Sequence, residues 1–143
     1  MGGLVKVEES QIRNKIVSVL EGHEMIAGAY LFGSALKRCR PDSDIDIGLV
    51  MMPGSDISEK ELDLIEARIH RGLSPLGTHQ FDLVFLTLRD VFFSHKAIRS
   101  GKLIFARDMD AITGFTETVS NIHRCEYARH RQALETIALG DSI

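Results

Sequence analysis

LFGSALKRCRPDSDIDIGLV, residues 31–50, is the stretch on which the reading of this chain turns. An apolar run closes at Phe32, a Gly33-Ser34 pair follows, and after a short polar connection SDIDIGLV alternates as a strand does. Ile45, Ile47 and Leu49 fall on one side of that strand, and Asp44, Asp46 and Gly48 on the other. Two like charges this close raise each other's pKa and oppose folding. A hard divalent cation relieves the repulsion, and Mg²⁺ is commonly held by one or two carboxylates together with substrate phosphates. Gly33 allows close approach of backbone to phosphate. Ser34 offers a hydroxyl and an N–H at the start of a helical turn, where unpaired N–H groups favour anions. In outline this is a nucleoside triphosphate site.

A third carboxylate is available downstream. Asp82 lies in QFDLVFL, residues 80–86, between apolar neighbours. If that run is a strand beside the Asp44–Asp46 strand, Asp82 shares their face. Three carboxylates could then hold two ions about 4 Å apart, as in-line displacement at phosphorus requires.

The rest of the chain supplies the frame. SQIRNKIVSVLEG predicts a helix with Ser10 as N-cap, Ile12, Ile16, Val19 and Leu20 on one face, and Gly22 as the stop. Met25–Phe32 is a buried strand, ALKRCR a helical turn or loop closed by Pro41, and MMPGSD a turn. ISEKELDLIEARIHRGL is an amphipathic helix opened by Ser58 with Glu61 three residues on, a capping-box pattern. TLRDVFFSHKAIRSG predicts a helix ending at Gly101, with Gly101-Lys102 read as its cap and a solvated lysine, and KLIFA predicts a short strand. From about Asp110 to Leu139 one or two helices with an irregular start are expected. Their apolar positions include Ile122, Tyr127, Ala128, Leu134 and Ile137. The economical architecture is α+β, a small mixed sheet with helices packed on it. One domain over residues 1–108 is expected, with a helical extension over 109–143 packed on it.

Bulk properties narrow the function. The 143 residues suit one domain with a real core, at 44% hydrophobic content. A net charge of −3 argues against stable binding of long nucleic acid. No apolar run reaches the roughly 18–20 residues that cross a bilayer, and MGGLVKVEES lacks the features of a signal peptide. Two cysteines make no disulfide framework, so a cytoplasmic protein is expected. Asp42, following Pro41, reads as a turn residue. His123 and His130 are seven apart with no third ligand in sequence, which argues against zinc.

FGS, PDSDIDIGLV and FDLVFL together resemble the minimal nucleotidyltransferase (MNT) family of the DNA polymerase beta-like nucleotidyltransferase superfamily, over about Ile12 to Ala106. Length and layout are most similar to MNT antitoxins that pair with a HEPN-domain toxin. The resemblance implies one mixed sheet with the site at its edge. It implies that Gly33 and Ser34 bind nucleotide phosphates, with Arg38 and Arg40 as further triphosphate contacts. It implies that Asp44, Asp46 and Asp82 ligate two Mg²⁺ ions, with Asp82 helping to deprotonate the attacking hydroxyl. The family spacer between Gly-Ser and Asp-x-Asp is usually ten residues and often holds a glycine. Here it is nine, Ala35 to Ser43, with none.

The function implied is Mg²⁺-dependent transfer of AMP from ATP to a tyrosine hydroxyl of a cognate HEPN toxin, which would silence it. Two alternatives stand beside it. One is transfer to a small molecule, as in aminoglycoside nucleotidyltransferases, which usually carry an acceptor domain that this chain could replace only by forming a homo-oligomer. The other is a non-catalytic antitoxin that masks its partner by contact. A template-directed polymerase is disfavoured by the acidic charge and by the lack of a helix-hairpin-helix or fingers segment.

Overall fold

The computed structural model of the protein describes residues 3–54 and 57–140, with side chains of the last helix through Ile137. Ser55 and Asp56 of the expected turn and residues 141–143 lie outside the described residues. The elements, in order, are β1 (Val5–Lys6), α1 (Glu9–Leu20), β2 (Ile26–Phe32), a 3₁₀ turn (Gly33–Leu36), β3 (Arg38–Cys39), β4 (Ile45–Met51), α2 (Glu59–Gly72), β5 (Phe81–Phe85), a second 3₁₀ turn (Leu88–Asp90), α3 (Val91–Ser100), β6 (Lys102–Ala106) and α4 (Met109–Gly140).

Four strands form the main sheet in the order β5-β4-β2-β6. β2 is antiparallel to both β4 and β6, and β4 is parallel to β5 through the α2 crossover. The architecture is therefore α+β with a mixed sheet. Alternation along β4 sorts the two faces. Ile45, Ile47 and Leu49 enter one core with Ile12, Ile16 and Leu20 of α1 and Ile65 and Ile69 of α2. Val50 joins the opposite core, with Ala27, Tyr30, Leu86, Ala97 and Ile112, under α3 and α4. Gly28 admits α4 to this second face: a Cβ there would stand 2.4 Å from Ile112 Cδ1.

The main elements stand where the sequence places them, and several local expectations change. Helix α1 begins at Glu9 with Glu8 as its cap residue and no side-chain cap bond. Ser10 is thus inside the first turn and caps nothing. Ser58 does cap α2, its Oγ accepting from the Glu61 N–H at 3.3 Å. α3 starts only at Val91, because the Asp90 side chain accepts from the Phe93 N–H and sets the helix start there. ALKRCR divides into a 3₁₀ turn and the strand β3, whose partner β1 the apolar pattern could not reveal: only two residues pair, Val5 with Cys39 and Lys6 with Arg38. The C-terminal segment is one helix of 32 residues, about 48 Å long at the helical rise. Lys102 is not simply solvated, since its Nζ meets Glu9 Oε2 at 2.9 Å.

Candidate active site

The site is built where three strands end together. Phe32, the last residue of β2, is the register partner of Asp46, and Asp46 is the register partner of Asp82. Parallel pairing of β4 and β5 therefore puts Asp46 and Asp82 side by side on one face. Asp44 stands two residues before Asp46, just ahead of β4. β5, which carries Asp82, is the edge strand and β4 its interior neighbour, so the carboxylates lie at the strand ends on this side of the sheet. Asp44 and Asp82 are exposed and Asp46 is half-buried.

The Gly33 backbone closes over Asp46. Its φ is +78°, and a Cβ at this position would come within 2.2 Å of Asp46 Oδ2. Only glycine satisfies both the left-handed backbone and that contact. Ser34 follows, exposed, in the 3₁₀ turn, whose cap Lys37 N–H donates to the Ser34 carbonyl. Two residues along β4, the missing side chain of Gly48 leaves room for Leu86, whose atoms would lie 3.0 Å from a Cβ there. Phe93 of α3 meets Phe32, the register partner of Asp46, edge-on at 5.7 Å between ring centroids.

Negative charge accumulates here. Burial pushes the Asp46 carboxyl above its ordinary value, and the neighbouring Asp82 and Asp44 charges and a hydrogen bond with Asp82 push it the same way. Among the described residues no three His, Cys, Asp or Glu side chains already stand in a metal-holding arrangement. A cation at this site would relieve the repulsion among these carboxylates. The donor set suits such a cation: oxygen-only, anionic and open to solvent.

The other expected contacts are more dispersed. Arg38 sits exposed on β3 opposite Lys6. Arg40 is exposed and paired with Asp42 at 3.5 Å, leaving Asp42 as a turn residue. His123 stacks on His95 at 3.7 Å while His130 is exposed. A cavity of about 540 Å³ lies at the opposite ends of β4 and β5, lined in part by Met51, Met52, Leu86 and Phe115, away from the carboxylates. The linear sequence did not single out Phe93 or His79. His79 is 8% exposed and bonded to the Ser43 carbonyl. A lone His before an apolar strand was its only signal.

A family model described as "Polymerase beta, Nucleotidyltransferase" matches residues 14–110. The chain belongs to the polymerase beta nucleotidyltransferase family. As a nucleotidyltransferase it shares its fold with several solved structures. One is a toxin-antitoxin structure with AMP-PNP, 18% identical, covering 88% of this chain and 98% of that chain, with a TM-score of 0.62. Another is the toxin-antitoxin MntA-HepT, 18% identical, covering 91% of this chain and 99% of that chain, with a TM-score of 0.62. A third is a tri-AMPylated Shewanella oneidensis HEPN toxin in complex with MNT antitoxin, 17% identical, covering 92% of this chain and 99% of that chain, with a TM-score of 0.63. No curated protein matches the sequence.

Proposed function

We propose that this nucleotidyltransferase moves AMP from ATP to a tyrosine hydroxyl of a cognate HEPN-domain toxin and so acts as its antitoxin. The observation that carries the reading is the convergence of Asp44, Asp46 and Asp82 beside Gly33 at one end of the sheet. Likeness of fold to MNT proteins solved in toxin-antitoxin complexes, one of them AMPylated, supports the choice of acceptor.

Asp44, Asp46 and Asp82 would hold two Mg²⁺ ions, which when bound neutralise charge developing on the phosphoryl oxygens. The chain's own part is positioning. Gly33 and Ser34 would receive the β- and γ-phosphates, with Arg38 and Arg40 within the same connection as further contacts. Asp82 would accept the proton of the attacking hydroxyl. The hydroxyl oxygen bonds the α-phosphorus, the bond to the bridging oxygen breaks, and pyrophosphate leaves with its electron pair.

The test is incubation with the candidate toxin, Mg²⁺ and each of the four nucleoside triphosphates, read as the intact mass of both chains. One or more AMP masses on the toxin are expected, and none with the Asp44→Asn/Asp46→Asn variant. A stable complex with no mass gained under any nucleotide would instead identify a masking antitoxin.

A further inference from the structure

We infer that His79 is a positioning residue for Asp44, acting by clamping the backbone that delivers this carboxylate to the site. The inference rests on the metal-dependent reading above. His79 Nδ1 lies 2.8 Å from the Ser43 carbonyl oxygen, and a carbonyl only accepts, so Nδ1 carries the proton and donates it. The ring is 8% exposed, which shields this bond from competing water. Ser43 is the residue immediately before Asp44. On the other side of Asp44, the Ile45 N–H donates to the Gln80 carbonyl at 2.8 Å. Asp44 is thus held between two bonds, both made to the segment that leads into β5 and Asp82.

That segment is itself rigidly folded. Leu76 and His79 exchange backbone bonds at 2.9 and 3.0 Å around a turn in which Gly77 takes φ +63°. Its neighbour Thr78 donates its hydroxyl to the Pro41 carbonyl. Opposite it, the residues before Asp44 close a turn of their own: the Ser43 N–H donates to the Arg40 carbonyl at 3.0 Å, and the Arg40 N–H to Ser43 Oγ at 3.1 Å. Two turns, 40–43 and 76–79, are therefore docked on each other, and His79 is the buried link between them. The arrangement fixes where the nine-residue connection after Ser34 delivers Asp44. The connection ends in a turn fixed by a neighbouring loop, not in a free span whose length sets the geometry.

The clamp acts on the placement of a ligand, so its signature is metal binding rather than stability. The experiment titrates Mn²⁺ into the wild-type chain, His79→Ala and His79→Asn, following loss of the free-ion electron paramagnetic resonance signal, with metal-free thermal melts alongside. An Asn amide nitrogen reaches close to the position of Nδ1 and keeps the donor. Expected are about tenfold weaker Mn²⁺ binding by His79→Ala and affinity within about threefold of wild type for His79→Asn. The exposed Thr78→Val, which removes the second tie between the turns with little risk to folding, is expected to weaken binding in the same direction, and it carries the test if His79→Ala fails to fold. Wild-type affinity in His79→Ala, or in Thr78→Val where His79→Ala does not fold, overturns the inference. Equal loss of affinity in His79→Ala and His79→Asn, tracking their melting temperatures, overturns it also. A wild-type chain that binds no Mn²⁺ is a different failure: it removes the metal-site reading itself, and the role of His79 with it.

Discussion

Asp46 concentrates the tension between folding and function in one residue. Its carboxyl is held above the ordinary range by burial and by the Asp82 and Asp44 charges. A carboxyl whose pKa is raised in the fold gives its full stability below the unfolded value, and loses it as pH rises through the folded value. At neutral pH the metal-free protein therefore carries an ionised group that the fold disfavours. Asp46→Asn is expected to melt a few degrees above wild type at pH 7 without metal, the difference closing as the pH falls below about 4. If Asp46 holds Mg²⁺ as proposed, adding Mg²⁺ is expected to reverse the order, because asparagine lacks the anionic oxygen a hard cation needs. Melting curves across this pH range, with and without Mg²⁺, check both statements. At this scale the sequence was informative: an Asp-x-Asp inside an alternating strand has no use in a core, and Asp82 repeats the anomaly. The contact of Phe93 with Phe32 was not legible, because it joins a helix to a strand about 60 positions back along the chain.

Among the elements, the link between β6 and α4 shows how much of the fold rests on one side chain after a strand. Arg107 Nε donates to the Ile26 carbonyl at 3.1 Å, and Nη2 to the Leu20 and Glu21 carbonyls at 2.7 and 3.0 Å. These acceptors lie at the C-terminal end of α1, where carbonyls lack helical partners and cations are favoured, and at the start of β2. Its guanidinium also lies over the Phe105 ring, 5.6 Å from the centroid. Arg107→Ala is expected to cost about 1–3 kcal/mol in urea unfolding, with the slope of the transition unchanged. Helix and strand positions themselves were readable from apolar period, since α1 and α2 each bury residues four apart. Helix starts were less so. Ser10 has the chemistry of a cap, but the helix is capped two residues earlier, at Glu8, whereas Ser58 has both the chemistry and the position.

Across the whole molecule, α4 changes character along its length. Ile112 and Val119 are buried under the sheet at 2% and 1% exposure, whereas Tyr127, Leu134 and Ile137 are all more than half exposed. The first half of the helix belongs to the second core and the second half runs beyond it. Removal of residues 127–143 is expected to shift the melting temperature of the isolated chain by no more than about 4 °C, while Ile112→Ala costs about 2–5 kcal/mol. Thermal and urea unfolding of the two variants distinguishes these halves. No described helix is long and apolar enough to cross a membrane.

Local patterning was enough to establish the α+β class, the strands that carry Asp46 and Asp82, and the glycine-serine turn beside them, because period and residue chemistry are properties of neighbours in the chain. Pairing partners are not. That β4 runs parallel to β5 with Asp46 level with Asp82, that two-residue β1 finds β3, and that His79 closes on Ser43 were decided only in three dimensions. Each joins segments more than thirty residues apart, and such contacts form when the whole core excludes water, not when any one segment adopts its preferred shape.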